Sequence, residues 1–232
     1  MKQGPAPALA REAEALALLE GRGVAPALLA AGAGVLVSER LAGGPRPFAR
    51  ASARDLRALG ALLCRVHGTR QGASGHLPAW PSAVRTLAGY RRRRLADALA
   101  LAGERGEALA PALDRAPADP APGRRPFRLL HGDPVAANLV WGPGGPRLVD
   151  WEFWRMGDPA EDLAYLAEVN DLPPPALAAV LEGYGEAAVG ERVGGWRAVV
   201  ALEAGAWYAI HGPQDEAERL LARAAALAAG RR

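Results

Sequence analysis

The sequence contains one lysine, Lys2, one cysteine, Cys64, and four histidines among its 232 residues. A single cysteine excludes an intrachain disulfide, and because Cys64 lies in an apolar helical segment we expect it in the core of a protein from a reducing compartment. Four scattered histidines, with no second cluster of metal-binding residue types, argue against a histidine-rich metal centre.

Long apolar runs are also lacking. The most apolar late stretch, residues 193–210, contains Arg197 and Glu203 and fails the criterion of about twenty apolar residues for a membrane span. The first ten residues lack the apolar core of an export signal. These absences predict a cytoplasmic protein with no membrane partner.

Charge of one sign is not concentrated enough to indicate a nucleic-acid partner. The net charge is +3, and most arginines are interspersed with Asp and Glu, unlike the basic patches of nucleic-acid-binding proteins. The run from Arg91 to Arg94 is the exception. It is interpreted as a solvated helix face or as a patch for a phosphate or anionic partner, and the sequence favours the solvated face.

The stretch from His131 to Asp150 carries the clearest chemical signal. Two short apolar segments surround the Gly- and Pro-rich residues 142–146, which predicts two strands joined by a turn. If the pairing is antiparallel and centred on Gly144, Asn138 lies opposite Asp150. Directly opposed side chains are close enough to share a small ion, and their oxygens suit Mg²⁺, which leaves room for water and substrate phosphates.

Asp133 lies at the other end of the same segment. Because Pro134 disfavours helical backbone before it, we expect the Asp133 carboxylate to project from an extended loop into a cleft. A free carboxylate beside a magnesium pair indicates phosphoryl transfer, in which an Asp accepts the proton of the attacking hydroxyl. Protein kinases have Asn five residues after that Asp, and here Asn138 has the same spacing, with Gly132 in place of the kinase arginine.

Three motifs in order, His-Gly-Asp-x4-Asn, Val-Asp-Trp-Glu and Gly-Asp-Pro-x2-Asp-Leu-Ala over residues 128–166, resemble the aminoglycoside phosphotransferase and choline kinase family. The resemblance implies an α+β, protein-kinase-like two-lobe fold with ATP and Mg²⁺ as cofactors. It also implies that Asp133 is the catalytic base, that Asn138 and Asp150 are magnesium ligands, that His131 shapes the loop, and that Asp162 is a buried brace.

On the nucleotide side, the same resemblance implies that Lys2 contacts the phosphates and pairs with a helix glutamate, Glu12 first and Glu14 second. Residues 38–41, with Glu39 and Arg40, resemble the hinge that binds adenine through backbone groups. The resemblance further implies a truncated nucleotide-binding lobe over residues 1–42, lacking two strands and the turn over the phosphates, and a catalytic lobe over residues 43–232. An incomplete sheet edge could also pair with another copy of the chain.

Candidate acceptor-binding residues follow from the family's usual arrangement, in which the acceptor lies between the catalytic loop and the C-terminal helices. Glu203 and Trp207 are four residues apart and share a helix face, where an aromatic ring and a carboxylate could hold a cationic amine. The alternative, core packing for Trp207 and a surface position for Glu203, is favoured. The candidates are Glu152, Trp154, Glu203, Trp207 and Tyr208.

Periodicity and capping residues predict the remaining helices. Ser52 is expected to cap a helix over residues 53–67, with His67 interacting with the helix dipole at its end. Asp158 is expected to cap another, with Glu161 completing a capping box. Further predicted helices cover residues 11–19, 82–101, 104–113, 173–184, 192–211 and 214–229, and predicted strands cover residues 25–30 and 34–41.

Three functions remain open from the sequence. The leading hypothesis is an ATP- and Mg²⁺-dependent phosphotransferase acting on a hydroxyl of a small molecule such as an amino alcohol or a sugar. The second is a catalytically impaired kinase-like binding or regulatory protein. The third, metal-dependent hydrolysis with His131 and Asp133 as ligands, is poorly supported because the histidines are few.

Overall fold

The computed structural model describes residues 1–69, 87–104, 106–107, 110 and 127–230. In these residues the helices are α1 (Ala6–Leu18), α2 (Ala53–His67), α3 (Leu87–Ala102), α4 (Pro159–Val169), α5 (Pro174–Tyr184), α6 (Ala187–His211) and α7 (Gln214–Ala228). The predicted helix over 82–101 is therefore described from residue 87 onward. Most of the predicted helix over 104–113 lies outside the described residues.

Seven short strands form small antiparallel sheets in the described part of the chain. They are β1 (Lys2–Gln3), β2 (Leu28–Gly32), β3 (Val35–Ser38), β4 (Arg128–Leu130), β5 (Leu139–Gly142), β6 (Gly145–Leu148) and β7 (Arg155–Gly157). The first three form one sheet in the order β1-β3-β2, while β4 pairs with β7 and β5 pairs with β6. The α+β prediction, with small antiparallel sheets and a mainly helical remainder, is confirmed.

The register of the β5–β6 hairpin differs from the prediction by one residue. Trp141 pairs with Pro146, and Gly142 pairs with Gly145, because a two-residue turn closes the hairpin rather than a turn centred on Gly144. Two-residue connections are the commonest in hairpins. Asn138 is consequently opposite Val149, whose N–H donates to the Asn138 carbonyl at 3.0 Å, and the predicted Asn138–Asp150 register is wrong.

Local capping follows the sequence closely for α2 and partly for α4. Ser52 caps α2 in a reciprocal capping box with Asp55, as its residue type favours. Asp158 caps α4 by accepting from the N–H of Ala160 at 3.2 Å. The prediction that Glu161 completes a capping box is wrong, because arginine side chains bind its carboxylate instead.

The helices pack around one hydrophobic core. Helix α6 packs against α3, α4 and α7, and α2 packs against α5. The α2–α5 contact requires glycine on both helices, since a Cβ on Gly60 would lie 2.0 Å from the Val180 carbonyl oxygen and one on Gly183 would lie 2.0 Å from that of Arg57. Within the described ranges, no helix combines the length and apolarity needed to cross a bilayer.

Two backbone contacts attach the N-terminal sheet region to the hairpin. The Leu148 N–H donates to the Val24 carbonyl at 2.9 Å, and the Trp141 N–H donates to the Gly44 carbonyl at 3.0 Å. Lys2, on β1, is paired with Leu36 of β3. The N-terminal residues are therefore held beside the segment in which the sequence motifs lie.

Candidate active site

The predicted catalytic loop, residues 131–138, connects β4 to β5 and depends on Gly132. Gly132 has φ = +88°, a conformation that glycine adopts without steric cost. A Cβ there would lie 2.3 Å from the Phe153 carbonyl oxygen and 2.4 Å from Nη1 of Arg155. The loop therefore turns sharply just before Asp133, and the space that a longer side chain would need is filled by Arg155.

Asp162 on α4 holds the start of this loop. Its carboxylate accepts from the backbone N–H of His131 at 2.7 Å and of Gly132 at 3.0 Å. His67 Nε2 lies 3.1 Å from the same carboxylate. Burial raises the pKa of Asp162, but the hydrogen bond and charge of His67 and other charged neighbours outweigh it, so this pKa lies below its ordinary value. An ionised, buried carboxylate is thus placed where the sequence predicts a brace.

His67 itself departs from the prediction. Its side chain is buried, and Nδ1 lies 3.0 Å from the Tyr184 hydroxyl of α5. The ring therefore links α5 to Asp162 instead of interacting with the end of its own helix. The helical spacing placed His67 on α2, but its partners come from helices distant in sequence.

His131 shapes the loop through both ring nitrogens. Nδ1 accepts from the Asp133 N–H at 3.2 Å, and Nε2 lies 3.0 Å from the Val149 carbonyl. Its ring meets that of Trp151 edge-on, with centroids 4.5 Å apart. Burial lowers the pKa of His131, which favours the neutral ring that this bonding pattern uses.

Asp133 presents a carboxylate fixed from two sides. Oδ2 accepts from Asn138 Nδ2 at 2.9 Å, and the Asp133 carbonyl accepts from the same amide at 3.0 Å. Burial raises the pKa of Asp133, while His131 and hydrogen bonds from Tyr165 and Asn138 act in the opposite direction. The net pKa lies above its ordinary value, which makes the carboxylate a better proton acceptor when ionised.

Asn138 and Asp150 provide oxygen atoms that could bind a metal ion. Asn138 directly precedes β5 and Asp150 follows β6, so both lie at the open end of the hairpin. Because Asn138 directs its Nδ2 toward Asp133, its Oδ1 faces away from that carboxylate. Asp150 leaves the strand with φ = +62°, and its side chain is 41% exposed. Carboxylate and amide oxygens are the ligand types that Mg²⁺ takes, so these residues fit a magnesium ion chemically.

The protein contributes few charged ligands to such an ion. No group of three or more His, Cys, Asp or Glu side chains is arranged to hold a metal in the described ranges. Mg²⁺ usually binds one or two carboxylates and completes its shell with water and substrate phosphates. The donor set therefore suits an ion that arrives with a nucleotide.

Lys2 lies at the centre of a charged group, the lysine cluster, which comprises Lys2, Glu12, Asp150 and Glu152. Its Nζ lies 2.8 Å from Glu12, 2.7 Å from Asp150 and 3.8 Å from Glu152. Burial lowers the pKa of Lys2, but its hydrogen bonds to Asp150 and Glu12 outweigh burial, so the pKa is raised. The lysine thus joins β1, α1 and the hairpin. Its predicted contact with nucleotide phosphates stays a prediction.

A cavity of about 180 Å³ opens beside Asp133. Glu203, Trp207 and Tyr208 of α6 line it, together with Phe153, Arg155 and Tyr165. Trp207 is 41% exposed and Phe153 is 44% exposed, so the favoured core position for Trp207 is wrong. The structure brings three predicted acceptor residues to the carboxylate that the sequence identified as the base.

Trp154 does not reach this cavity. It is 2% exposed, and its indole N–H donates to the Arg11 carbonyl at 2.7 Å. Its own carbonyl accepts from the Arg11 side chain at 2.7 Å. The prediction that Trp154 binds the acceptor is corrected by this packing, because the ring anchors α1 to the segment after the hairpin.

Glu152 and the hinge residues also lie away from the cavity. Glu152 belongs to the lysine cluster and does not line the cavity. The Glu39 N–H donates to the Ala27 carbonyl at 2.8 Å, and its carboxylate accepts from the Ala27 N–H at 3.2 Å. Arg40 is exposed. The backbone donor of Glu39 is therefore already engaged, and its predicted part in binding adenine stays a prediction.

Sequence reasoning missed two groups at the site. Tyr165 lies three residues after Asp162 on α4, and this helical spacing could have placed both side chains on the face toward the loop. Arg94 and Arg155 were missed as members of a second charged group, the arginine–glutamate cluster, formed with Glu161 and Glu203. Arg94 comes from the arginine run, so the solvated-face interpretation is wrong for that residue.

The chain is similar to a known protein family in sequence and to several solved structures in fold. The family model described as the phosphotransferase enzyme family matches residues 2–202. Solved structures with a similar fold include a choline/ethanolamine kinase family protein from Mesorhizobium loti, with 22% sequence identity and a TM-score of 0.68, covering 94% of this chain and 78% of that one. A search of curated protein sequences gives no match.

Two further structures have the same fold at lower identity. A choline kinase from Streptococcus pneumoniae has 17% identity and a TM-score of 0.70, covering 99% of this chain and 85% of that one. An amicoumacin kinase, solved with AMP-PNP and Ca²⁺, has 15% identity and a TM-score of 0.62, covering 97% of this chain and 78% of that one. The kinase-like fold expected from the sequence is confirmed.

Proposed function

Because the chain belongs to the phosphotransferase enzyme family, we propose that it transfers the γ-phosphoryl group of ATP, together with Mg²⁺, to a hydroxyl of a small molecule. The observation that carries this proposal is the position of Lys2 Nζ, 2.8 Å from Glu12 and 2.7 Å from Asp150. Kinase-like enzymes need a lysine paired with a helix glutamate and an aspartate for the metal in one place. Here the three side chains touch.

Asp133 acts as the base in this reaction. The acceptor oxygen forms a bond to the γ-phosphorus, the bond from that phosphorus to the bridging oxygen breaks, ADP leaves, and the hydroxyl proton passes to the Asp133 carboxylate. Asn138 and Tyr165 orient the carboxylate, and His131 fixes its backbone N–H. Such positioning is the main protein contribution in phosphoryl transfer.

Asn138 and Asp150 would hold the magnesium ion, which neutralises charge on the phosphates when bound. Lys2 would shift part of its interaction from Asp150 to the nucleotide while keeping Glu12. The amicoumacin kinase solved with AMP-PNP and Ca²⁺ supports nucleotide and divalent metal as ligands. We accordingly assign residues 1–42 to the nucleotide side and residues 43–232 to the catalytic and acceptor side.

The cavity beside Asp133 would receive the acceptor. It is lined on one side by the catalytic loop and on the other by Glu203, Trp207 and Tyr208 of α6. Its volume of about 180 Å³ suits a small alcohol or one sugar ring better than a large oligosaccharide. A hydroxyl placed there would be next to the carboxylate that removes its proton.

The test is the replacement Asp133→Asn with the exposed Asp171→Asn as the matched control. ADP release from Mg·ATP would be followed over a panel of amino alcohols, sugars and simple alcohols. We expect Asp133→Asn to lose about 10²–10⁴-fold in kcat, with nucleotide affinity and melting temperature retained, and Asp171→Asn to match the wild type. Unchanged turnover in Asp133→Asn would remove this residue from the role of base.

A kinase-like binding protein without turnover is the competing function. Lys2 occupies one Asp150 oxygen that the metal would need, so turnover requires Lys2 to release that oxygen, whereas nucleotide binding alone does not. Calorimetric titration with ATP, with and without Mg²⁺, separates the two functions. Binding that Mg²⁺ strengthens supports the phosphotransferase, whereas binding without any Mg²⁺ effect and without ADP release on the panel supports the binding protein.

A further inference from the structure

The wall of the cavity beside Asp133 contains the arginine–glutamate cluster. Arg94 donates through Nε to Glu161 at 2.8 Å and through an Nη to Glu203 at 2.5 Å. Arg155 donates to the same oxygen of Glu161 at 2.8 Å. Glu203 and Arg155 line the cavity, while Arg94 and Glu161 lie behind them, so the cavity wall is one face of a larger ion-pair network.

The network is buried at Glu161 and partly exposed at Glu203 and Arg155, and its charges balance. The side chain of Glu161 is 1% exposed and that of Arg94 is 14% exposed. Burial raises the pKa of Glu161, but Arg155 and Arg94 outweigh it, and the pKa lies below its ordinary value. The pKa of Arg94 lies above its ordinary value, because Glu161 and Glu203 outweigh burial and the neighbouring Arg155. Two guanidinium groups therefore face two carboxylates.

This charge balance weakens the attraction of Glu203 for a cationic ligand. A carboxylate beside an aromatic ring is the usual arrangement for holding an ammonium group, and Glu203 and Trp207 have that arrangement on α6. Arg94 already compensates the charge of Glu203, however, and a cation in the cavity would also meet Arg155. Among the described residues, Asp133 is the remaining carboxylate that lines the cavity, and it faces the reacting hydroxyl.

The other lining groups suit an uncharged molecule. Phe153 and Trp207 line the cavity and are 44% and 41% exposed. Tyr208 packs edge-on against Trp207 with ring centroids 5.4 Å apart, and His211 stacks on Trp207 with centroids 4.9 Å apart. Aromatic faces bind the apolar face of a neutral ring or an alkyl group through buried area. Hydroxyl groups at the rim would find donors and acceptors in Tyr208 and Glu203.

We propose that Arg94 determines acceptor specificity by neutralising Glu203, so that the cavity takes an uncharged alcohol or sugar in preference to a cationic amino alcohol. This inference rests on the proposed function only for its premise that the cavity receives the acceptor. It makes Arg94 a specificity residue that acts through Glu203 without contacting the reacting atoms.

Choline and 3,3-dimethylbutan-1-ol test the proposal, because they have the same shape and differ by the charge of one central atom. Ligand-observed NMR titrations would give the ratio of their affinities for the intact protein. We expect the wild type to bind choline no more tightly than the neutral alcohol. Arg94→Met should shift the ratio about tenfold toward choline, since Glu203 would then meet the cation uncompensated.

Two matched variants make the result specific. Arg94→Lys keeps the positive charge and should leave the wild-type ratio in place, and Arg94→Met combined with Glu203→Gln should lose the gain for choline. If neither probe binds to the wild type, the appearance of choline binding in Arg94→Met supports the proposal and its failure to appear contradicts it. A wild type that prefers choline tenfold or more would overturn the proposal.

Arg94→Gln covers the case in which Arg94→Met does not fold, because its amide keeps a hydrogen-bond donor beside Glu203 and removes the positive charge. This variant should also shift the ratio toward choline, and an unchanged ratio would contradict the inference. These readouts need no turnover. A protein that shows the expected charge preference but releases no ADP would count against the phosphotransferase and leave the specificity inference standing.

Discussion

The two charged clusters at the candidate active site differ in solvent exposure and in charge balance. The lysine cluster sets one cation, Lys2, against three carboxylates, and its Lys2 and Asp150 side chains are 37% and 41% exposed. The arginine–glutamate cluster sets two cations against two carboxylates, with Glu161 only 1% exposed. One cluster is open and carries excess negative charge, and the other is closed and balanced.

The difference indicates where a ligand brings charge. Excess carboxylate at an open site is costly on its own and favours the arrival of a cation, as a magnesium ion with its nucleotide would provide. A balanced, buried network does not need a cation from a ligand. Removing one of its side chains lowers stability, because the partner left behind is a buried, unpaired charge. Breaking the buried pairs of Glu161 should therefore damage folding, whereas variants of the open cluster should damage binding and catalysis.

The largest expected effect is on stability in the closed cluster. Glu161→Gln leaves Arg94 and Arg155 without their shared partner, and breaking a buried ion pair in this way costs about 3–5 kcal/mol of unfolding free energy. Urea unfolding measures this change. The control is Glu182→Gln, whose partner Arg57 binds it at the surface, with Glu182 62% exposed, and about 1 kcal/mol or less is expected there. Equal midpoints for the two variants would abolish the distinction between the clusters.

The next effect is on catalysis in the open cluster. Asp150→Asn removes the charged ligand that we propose for magnesium, and we expect a loss on the order of a hundredfold or more in kcat/KM for Mg·ATP, equivalent to about 2.7 kcal/mol. Lys2 keeps Glu12, so the unfolding free energy should stay within about 1 kcal/mol of the wild type. The exposed Asp97→Asn serves as control. A destabilised Asp150→Asn protein would show that this cluster is structural too.

The two clusters should also lose their contributions at opposite ends of the pH scale. The pKa of Glu161 is lowered from about 4.5, so its contribution is complete above that value and is lost as pH falls through the lower folded pKa. The pKa of Lys2 is raised above 10.5, so its contribution is complete below that value and declines as pH rises from there toward the folded pKa. Unfolding free energies measured from pH 3 to pH 12 provide the test.

Two variants separate the acid and alkaline parts of the plot of unfolding free energy against pH, here called the acid limb and the alkaline limb. Glu161→Gln should remove the loss of stability in the acid limb and leave the alkaline limb unchanged. Lys2→Met should do the reverse, and its effect should be smaller because Lys2 is more than one-third exposed. If both variants altered the same limb, the assignment of the limbs to the clusters would be wrong.

The smallest expected effect concerns Tyr165, which lines the cavity and hydrogen-bonds the Asp133 carboxylate. Tyr165→Phe removes one of two side-chain hydrogen bonds to this proposed base, and we expect kcat to fall about fivefold to tenfold, consistent with one hydrogen bond, with KM for the acceptor nearly unchanged. Tyr208→Phe is the comparison variant and should change mainly that KM. An unaltered kcat in Tyr165→Phe would mean that Asn138 is sufficient to hold the carboxylate.

Local information was enough to single out the candidate site residues and two helix caps. Asp133, Asn138, Asp150 and Asp162 all lie between residues 128 and 166, and their spacing carries the family resemblance, while the catalytic role of Asp133 and the metal-binding roles of Asn138 and Asp150 stay predictions. The caps of α2 and α4 followed from single residues, Ser52 and Asp158, because a cap contacts the backbone two or three residues away. The fold class followed because these local elements agree with one another.

The failures concern contacts between distant segments. Arg94 and Glu203 are 109 residues apart, and no period or motif relates them, so the run of arginines was interpreted as a solvated face. Trp154 follows the motif closely, yet only the packing of α1 decides which way its ring points. The one-residue error in the hairpin arose because composition marks a turn without fixing which two residues close it.

Gly132 and Arg155 constrain how this active site could have diverged. Nη1 of Arg155, on β7, occupies the place in which a side chain on residue 132 would begin, while protein kinases have arginine at the residue before the catalytic aspartate. A shorter side chain at 155 would not by itself make room for arginine at 132, because the new Cβ would still lie 2.3 Å from the Phe153 carbonyl oxygen and residue 132 would keep φ = +88°. A lineage that replaced Gly132 would therefore also have to move the backbone of residues 132 and 153, whereas a change at 155 alone leaves this turn in place.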